Sequence, residues 1–204
     1  MKTPERTTLA PGLEISRIVT GLWQVADQER DGRTLDPVAA AKSMAEYAAA
    51  GFDTFDMADH YGSAEVITGH YLKGAPKSSR AFTKWCPTPG PMTAEIVRAG
   101  VERSLKRMQM DAIDLLQFHW WTFDHLNYLE ALEELAALKH AGKIRALGLT
   151  NFDTDHLRVA VKHGVPIASN QVSFSLLDRR AAGEMTAFCL ENGVRLLAYG
   201  TLGG

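Results

Sequence analysis

The strongest constraint on the fold is a regular alternation of strand-like and helix-like segments along nearly the whole chain. Seven segments of strand character are separated by six of helical spacing, with a period of roughly 30 residues. The strand-like segments are RIVTGLWQV (17–25), FDTFDMAD (52–59), AFTKW (81–85), AIDLLQFHW (112–120), IRALGLTN (144–151), IASNQVSFS (167–175) and VRLLAYG (194–200). Their near-continuous apolar character is typical of parallel strands covered on both faces. The alternation therefore predicts an α/β protein built on a parallel sheet.

Two architectures share this rhythm, the doubly wound sheet and the closed (β/α)8 barrel. A doubly wound nucleotide-binding fold should carry a glycine-rich turn after its first strand. Here that strand ends in Gly21-Leu22-Trp23-Gln24, and neither G-x-G-x-x-G nor a P-loop occurs in the chain. The barrel is therefore favoured. The leading segment RTTLAPGLEIS (6–16) predicts two short strands around Pro11-Gly12, a hairpin that could plug the bottom of the barrel.

The barrel predicted in this way is incomplete. The chain ends at Gly204, just after the seventh strand-like segment, so an eighth strand and the last two helices have no counterpart. We expect one barrel domain over residues 1–204, truncated at its C-terminus. The sequence is then either a piece of a longer protein or a naturally short one. In both cases the first and seventh strands would be left as unpaired edges of the sheet.

Residue signals also predict where two of the helices begin and end. Asp36 is a suitable N-cap for the segment DPVAAAKSMAEYAAAG, with Pro37 at the first helical position and Gly51 at the end. Thr93 is a plausible N-cap for TAEIVRAGVERSLKRMQM. We therefore expect helices to start directly after Asp36 and Thr93.

Composition excludes several classes of partner. A net charge of −2 and an isoelectric point near 6.4 give no reason to expect nucleic acid or an anionic membrane. The chain has no run of 18 apolar residues and its N-terminus lacks the apolar region of a signal peptide. Its two cysteines, Cys86 and Cys189, cannot build a disulfide framework and lack metal-ligand spacing. We expect a reducing, cytoplasmic compartment.

Titratable side chains stand at the ends of three strand-like segments. Asp56 and Tyr61 bracket the end of one, Lys84 closes AFTKW, and His119 lies near the end of LLQFHW. Taken singly, Asp56 could cap a turn, Tyr61 could be a packed aromatic and His119 a satisfied core histidine. Taken together they favour a catalytic site, because the strand C-termini of such a barrel converge on one face. A tyrosine near a lysine and an aspartate suits a proton donor to a carbonyl oxygen.

The four tryptophans also lie at or just after strand ends. They predict an aromatic wall for an apolar carbonyl substrate, and the alternative is that they pack beneath loops. The residues concerned are Trp23, Trp85, Trp120 and Trp121.

At this point the motifs resemble those of the aldo-keto reductases, over a stretch from the hairpin to the last residue. DMADHYG resembles the family's D-x-A-x-x-Y signature, and FTKW and LLQFHW supply the matching lysine and histidine. LGLTNF, SNQVSFS and LLAYGTLGG resemble its later cofactor-binding motifs. The cofactor-binding residues implied by this resemblance are Thr150, Asn151, Gln171, Tyr199, Gly200, Thr201 and Leu202.

The resemblance implies hydride transfer from NADPH, with NADH as the alternative, to an aldehyde or ketone. Tyr61 would donate the proton, and Lys84, paired with Asp56, would lower the tyrosine's pKa from its usual value of about 10. His119 would orient the carbonyl oxygen. Tyr199 would stack on the nicotinamide, and Thr150, Asn151 and Gln171 would hold its carboxamide.

The resemblance implies a small carbonyl compound as the partner and no resident metal. His60, His125, His140, His156 and His163 show no ligand spacing. The runner-up hypothesis is a catalytically impaired or non-catalytic homologue that senses a cofactor or binds a partner. A third hypothesis, a metal-dependent barrel hydrolase or lyase, is disfavoured because His and carboxylate ligands do not cluster at the strand ends.

Overall fold

The computed structural model describes residues 3–203, and its first feature is a β-hairpin. Strands β1 (Arg6–Ala10) and β2 (Leu13–Ser16) pair antiparallel around the predicted Pro11-Gly12 turn. Gly12 takes a φ of 75°, a left-handed conformation that a residue with a side chain rarely adopts. Leu9 and Ile15 of the hairpin are buried against residues of the main sheet, so the hairpin closes one end of that sheet as predicted.

The remaining strands form one parallel sheet of seven strands in sequential order. They are β3 (Thr20–Gly21), β4 (Thr54–Asp56), β5 (Arg80–Trp85), β6 (Ile113–His119), β7 (Ile144–Thr150), β8 (Ile167–Ser173) and β9 (Arg195–Tyr199). Among the described residues, β3 and β9 each have a strand partner on one side only. The sheet is thus an incomplete (β/α)8 barrel with two open edges, in agreement with the sequence.

Helices connect successive strands. They are α1 (Trp23–Glu29), α2 (Pro37–Ala49), α3 (Ala64–Leu72), α4 (Ala94–Met108), α5 (Asn127–His140), α6 (Thr154–Lys162) and α7 (Glu184–Glu191). The Asp36 carboxylate accepts a 2.9 Å hydrogen bond from the Val38 N–H, and Thr93 accepts one from Ile96 N–H, so both predicted N-caps are present. Within residues 3–203, every helix is too short or too polar to cross a bilayer.

The first strand is much shorter than the sequence predicted. Of the segment 17–25, only Thr20 and Gly21 pair with β4, and Trp23 already begins α1. The Leu22 N–H still donates to the Asp56 carbonyl oxygen at 2.8 Å, which is the last backbone contact of this segment with the sheet. The prediction of a nine-residue strand was wrong because apolar character alone does not distinguish a strand from the start of a helix.

Side chains along each strand alternate between two faces of the sheet, as the period of two requires. Phe82, Leu115 and Ala146 point to the inner face, where the hairpin residues meet them. Their neighbours in sequence point outward into a larger core shared with the helices, as Leu116 and Leu147 do. This alternation decides which residues at each strand end can reach the inner, open face.

Candidate active site

The open face at the strand C-termini holds a buried ion pair. Asp56 is the last residue of β4, and the Lys84 ammonium on β5 donates to its Oδ2 atom. Lys84 Nζ also donates to the Met57 carbonyl oxygen at 3.1 Å. Both side chains are largely removed from solvent, so each charge depends on the other for compensation. The structure thus pairs Lys84 with Asp56 as the sequence predicted.

Two glutamine side chains complete the hydrogen bonding of this carboxylate. Gln117 Nε2 donates to Asp56 Oδ1 at 2.6 Å, and Gln171 Nε2 donates to the same oxygen at 3.1 Å. Gln171 Nε2 also lies 3.0 Å from Gln117 Oε1. Sequence reasoning missed Gln117. Its signal was its position two residues before His119, which places it on the same face of the strand.

Tyr61 lies in the loop between β4 and α3, above the ion pair. Lys84 Nζ is 5.3 Å from the centroid of its ring, and the Trp23 ring packs edge-on at 4.9 Å. Burial, assisted by the negative charge of Asp56, raises the pKa of the Tyr61 phenol. The predicted lowering of this pKa by Lys84 was therefore wrong for the protein alone, because burial of the phenol and, after it, the Asp56 charge both raise the pKa.

His119 lies at the end of β6 and is buried, with 8% of its surface exposed. Burial lowers the pKa of His119 to about 4, and the nearby His60 and Lys84 act in the same direction. The imidazole is therefore neutral at pH 7. Its Nδ1 atom lies 3.3 Å from Cys86 Sγ, and the Trp121 ring lies 4.1 Å from the imidazole ring.

Only two of the four tryptophans predicted to line the substrate site lie at the open face. Trp85 and Trp120 are buried in the core, where Trp85 packs on Phe118 and against Gly100 of α4. The reason is strand alternation, since each directly follows an inward-facing residue, Lys84 or His119. Trp23 and Trp121 are 44% and 61% exposed at the rim of the open face.

The predicted cofactor residues lie at the ends of β7, β8 and β9. Asn151 takes a left-handed φ of 58°, and its N–H donates to the Gln171 carbonyl oxygen at 2.8 Å. The Tyr199 hydroxyl donates to Asn151 Oδ1 at 2.9 Å while 43% of Tyr199 remains exposed. Thr150 Oγ1 is buried without a hydrogen-bond partner in the described part of the chain. Gly200 is partly exposed, and Thr201 and Leu202 are exposed.

Potential metal ligands do cluster on this face, contrary to the sequence expectation. One ligand atom each from Asp59, His60 and Cys86 lies within 4.8 Å of the other two. Spacing along the chain did not reveal the cluster because Cys86 comes from the end of a neighbouring strand.

Comparisons with known proteins agree with the fold and the motifs. A family model described as "Aldo/keto reductase family" matches residues 17–204. The chain is 28% identical to the NADH-specific methylglyoxal reductase of Escherichia coli, covering 98% of this chain and 67% of that protein. It is 32% identical to a 6-dehydroglucose reductase of Agrobacterium fabrum, covering 98% of this chain and 72% of that protein.

Solved structures give the same result. An aldo/keto reductase from Brucella melitensis superposes with a TM-score of 0.80 at 24% identity, over 99% of this chain and 75% of that one, a likeness that shows the fold. The holo form of an aldo-keto reductase from Bacillus halodurans gives a TM-score of 0.80 at 26% identity, over 97% of this chain and 66% of that one. The fold and the relatives define a barrel oxidoreductase. The chain belongs to the aldo/keto reductase family.

Proposed function

We propose that the protein reduces a small aldehyde or ketone to an alcohol with a reduced nicotinamide cofactor. The observation that carries the proposal is the convergence of Tyr61, the Lys84–Asp56 pair and His119 on one open face. A proton donor, a charge to support it and a neutral imidazole are the groups that a carbonyl needs as it becomes an alkoxide.

The residues at the ends of β7 to β9 fit a nicotinamide cofactor. The exposed Tyr199 ring would stack on the nicotinamide, and the unpartnered Thr150 hydroxyl offers a buried polar atom to its carboxamide. Gln171 Nε2 is engaged with Asp56 and Gln117, so its oxygen is the atom left to accept from the carboxamide NH2. When bound, the cofactor supplies the hydride, and the protein supplies orientation and the proton.

Tyr61 would act as the acid. Its raised pKa keeps the phenol protonated at neutral pH, so the proton is available when the carbonyl oxygen gains negative charge. As that proton leaves, the Lys84 ammonium near the ring would stabilise the developing phenolate. The ion pair with Asp56 fixes Lys84 in place for this role.

His119 would orient the carbonyl through Nε2. Burial raises the pKa of the Cys86 thiol, so its sulfur keeps its proton and can donate S–H to His119 Nδ1. That contact places the imidazole proton on Nε2, which then donates to the substrate oxygen. Cys86 is in this way a positioning residue that acts through His119.

The names of the two relatives described above, methylglyoxal and 6-dehydroglucose reductases, support small, polar carbonyl compounds as the substrate class. The family resemblance favours NADPH, and the NADH-specific E. coli relative supports testing NADH beside it.

Cofactor oxidation in the presence of methylglyoxal, followed with each reduced nicotinamide in turn, tests the proposal. Tyr61→Phe should lower the rate by about 10²–10⁴-fold, the usual contribution of a general acid, while cofactor binding stays within a few-fold. Tyr47→Phe, at an exposed position on α2, is the matched control and should keep the wild-type rate. A Tyr61→Phe rate above a tenth of wild type would contradict the assignment.

A further inference from the structure

The rim of the open face carries three side chains of the types that bind metal ions. The proposed reductase chemistry does not require any of them to bind a metal. Asp59 and His60 lie in the loop after β4, and Cys86 directly follows β5. Each offers one ligand atom, and the three atoms lie within 4.8 Å of one another. We propose that Asp59, His60 and Cys86 form a binding site for a zinc-like divalent transition-metal ion, with water in the remaining position.

The backbone holds the two segments of this site together. The Asp59 N–H donates to the Lys84 carbonyl oxygen at 2.9 Å, and the Asp59 carbonyl oxygen accepts from Arg107 at 2.8 Å. The Cys86 N–H lies 3.4 Å from Asp59 Oδ2. The carboxylate and the thiol are thus close together before an ion binds. Less conformational entropy of these side chains is therefore lost on binding.

The donor set selects the ion. A thiolate, an imidazole and a carboxylate suit zinc and similar borderline-soft ions, whereas magnesium and calcium prefer oxygen ligands alone. Metal–ligand bonds of about 2.0–2.3 Å place tetrahedral ligand atoms about 3.5 Å apart. His60 Nδ1 and Asp59 Oδ1 are 3.1 Å apart, and side-chain rotations would have to bring the remaining separations, all within 4.8 Å, to this coordinating distance.

Coordination replaces the Cys86 S–H bond by a metal–sulfur bond, and the proton passes to solvent. The imidazole of His119, with Nδ1 at 3.3 Å from the sulfur, can then donate N–H to the thiolate and orient it. Arg103 competes with a metal ion for the Asp59 carboxylate, since its half-exposed side chain brings the guanidinium to 3.8 Å from Asp59 Oδ2. Its removal should strengthen metal binding.

The position of the site links it to the reductase chemistry. The His60 ring packs edge-on to Tyr61 at 4.9 Å, and the Cys86 sulfur contacts His119. A bound ion would fix both neighbours and obstruct the carbonyl site, a consequence that rests on the proposed function. Metal binding itself is independent of it.

Titration of the reduced 204-residue chain with Co²⁺ tests the site without any carbonyl substrate. A tetrahedral cobalt–thiolate centre has a charge-transfer band in the near ultraviolet, and Zn²⁺ should abolish it by displacement. The chain offers a matched pair of variants, since Cys86→Ser removes the proposed ligand and Cys189→Ser removes a buried thiol packed elsewhere in the core. His60→Asn and Arg103→Gln test the second ligand and the competing cation.

We expect one cobalt ion per chain and a thiolate band in the wild type and in Cys189→Ser but not in Cys86→Ser. Cobalt affinity should fall about tenfold or more in His60→Asn and rise in Arg103→Gln. The proposal is overturned if the band is missing from the wild type, persists in Cys86→Ser or disappears in Cys189→Ser. Unchanged affinity in His60→Asn would also overturn it, and this exposed position tests the site even if Cys86→Ser fails to fold.

Discussion

Lys84 and Asp56 form a buried ion pair in which one carboxylate receives three side-chain donors. Lys84 binds Oδ2, while Gln117 and Gln171 both donate to Oδ1. These four residues come from β4, β5, β6 and β8, so the site ties strands that are far apart in sequence. The same arrangement that would support the chemistry of Tyr61 therefore also contributes to the stability of the sheet.

Replacing one member of this pair should destabilise the protein strongly. Lys84→Met leaves the Asp56 charge buried without its counter-ion, and we expect the free energy of unfolding to fall by about 3–5 kcal/mol. Urea denaturation of the variant and the wild type measures this difference. The double variant Lys84→Met/Asp56→Asn should lose less than the sum of the two single variants. If the losses in unfolding free energy of the two single variants add up to that of the double variant, the two charges do not stabilise each other.

Gln171 should have both a structural and a functional role. Gln171→Ala removes one of two donors from Asp56 Oδ1 and the donor to Gln117 Oε1, and leaving that buried amide oxygen unsatisfied costs about 1–3 kcal/mol. We also expect lower turnover, because the proposed contact of Gln171 with the nicotinamide carboxamide would be lost. Thermal unfolding and cofactor oxidation, with the exposed Gln28→Ala as control, separate the two effects. Unchanged turnover with a lowered melting temperature would assign Gln171 to the core alone.

His119 should make stability depend on pH in the acid range. Its folded-state pKa of about 4 lies below the ordinary 6.5, so between these values the unfolded chain binds a proton that the folded protein excludes. Its contribution to stability is therefore fully present above pH 6.5 and is lost as the pH falls towards 4. Urea denaturation at several pH values should show a shallower decline for His119→Asn than for the wild type.

The exposed His125→Asn serves as the control for this prediction and should follow the wild-type curve. If His119→Asn loses stability between pH 6.5 and 4 as steeply as the wild type does, other groups cause the decline and the imidazole is not held neutral by burial.

Sequence reasoning predicted the part of this structure that depends on local patterns. The βα rhythm, the hairpin at Pro11-Gly12 and the caps at Asp36 and Thr93 follow from periodicity and turn chemistry, and the structure contains each of them. The strand ends also indicated where Asp56, Lys84 and His119 would meet, because parallel strands share one C-terminal face.

The errors concern contacts between elements. Trp85 follows Lys84 directly, so strand alternation turns it towards α4, a consequence that composition at a strand end does not reveal. The raised pKa of Tyr61 depends on burial of the phenol and on the nearby negative charge of Asp56. The approach of Cys86 to Asp59 depends on the register between β4 and β5. Each of these requires three-dimensional placement.

The open edges of the sheet lead to the last prediction. In the described residues β9 pairs with β8 alone, and beside it a cleft of about 710 Å³ is lined by hairpin, β3 and β9 residues. Unpaired strand edges and exposed apolar surface favour association with other chains. We therefore expect the 204-residue chain to self-associate, as sizing chromatography over a range of concentrations would show.

A charge on the edge should weaken this association. Ala198→Lys places a lysine on the exposed part of β9, while Ala45→Lys adds the same charge at an exposed position of α2, a helix that packs on α3. The first variant should shift the elution towards the monomer and the second should not, because only the first lies where another strand would pair. Equal shifts in elution would show that the added net charge, and not its position, causes the effect. A wild-type chain that is monomeric at all concentrations would show that the open edge does not drive association.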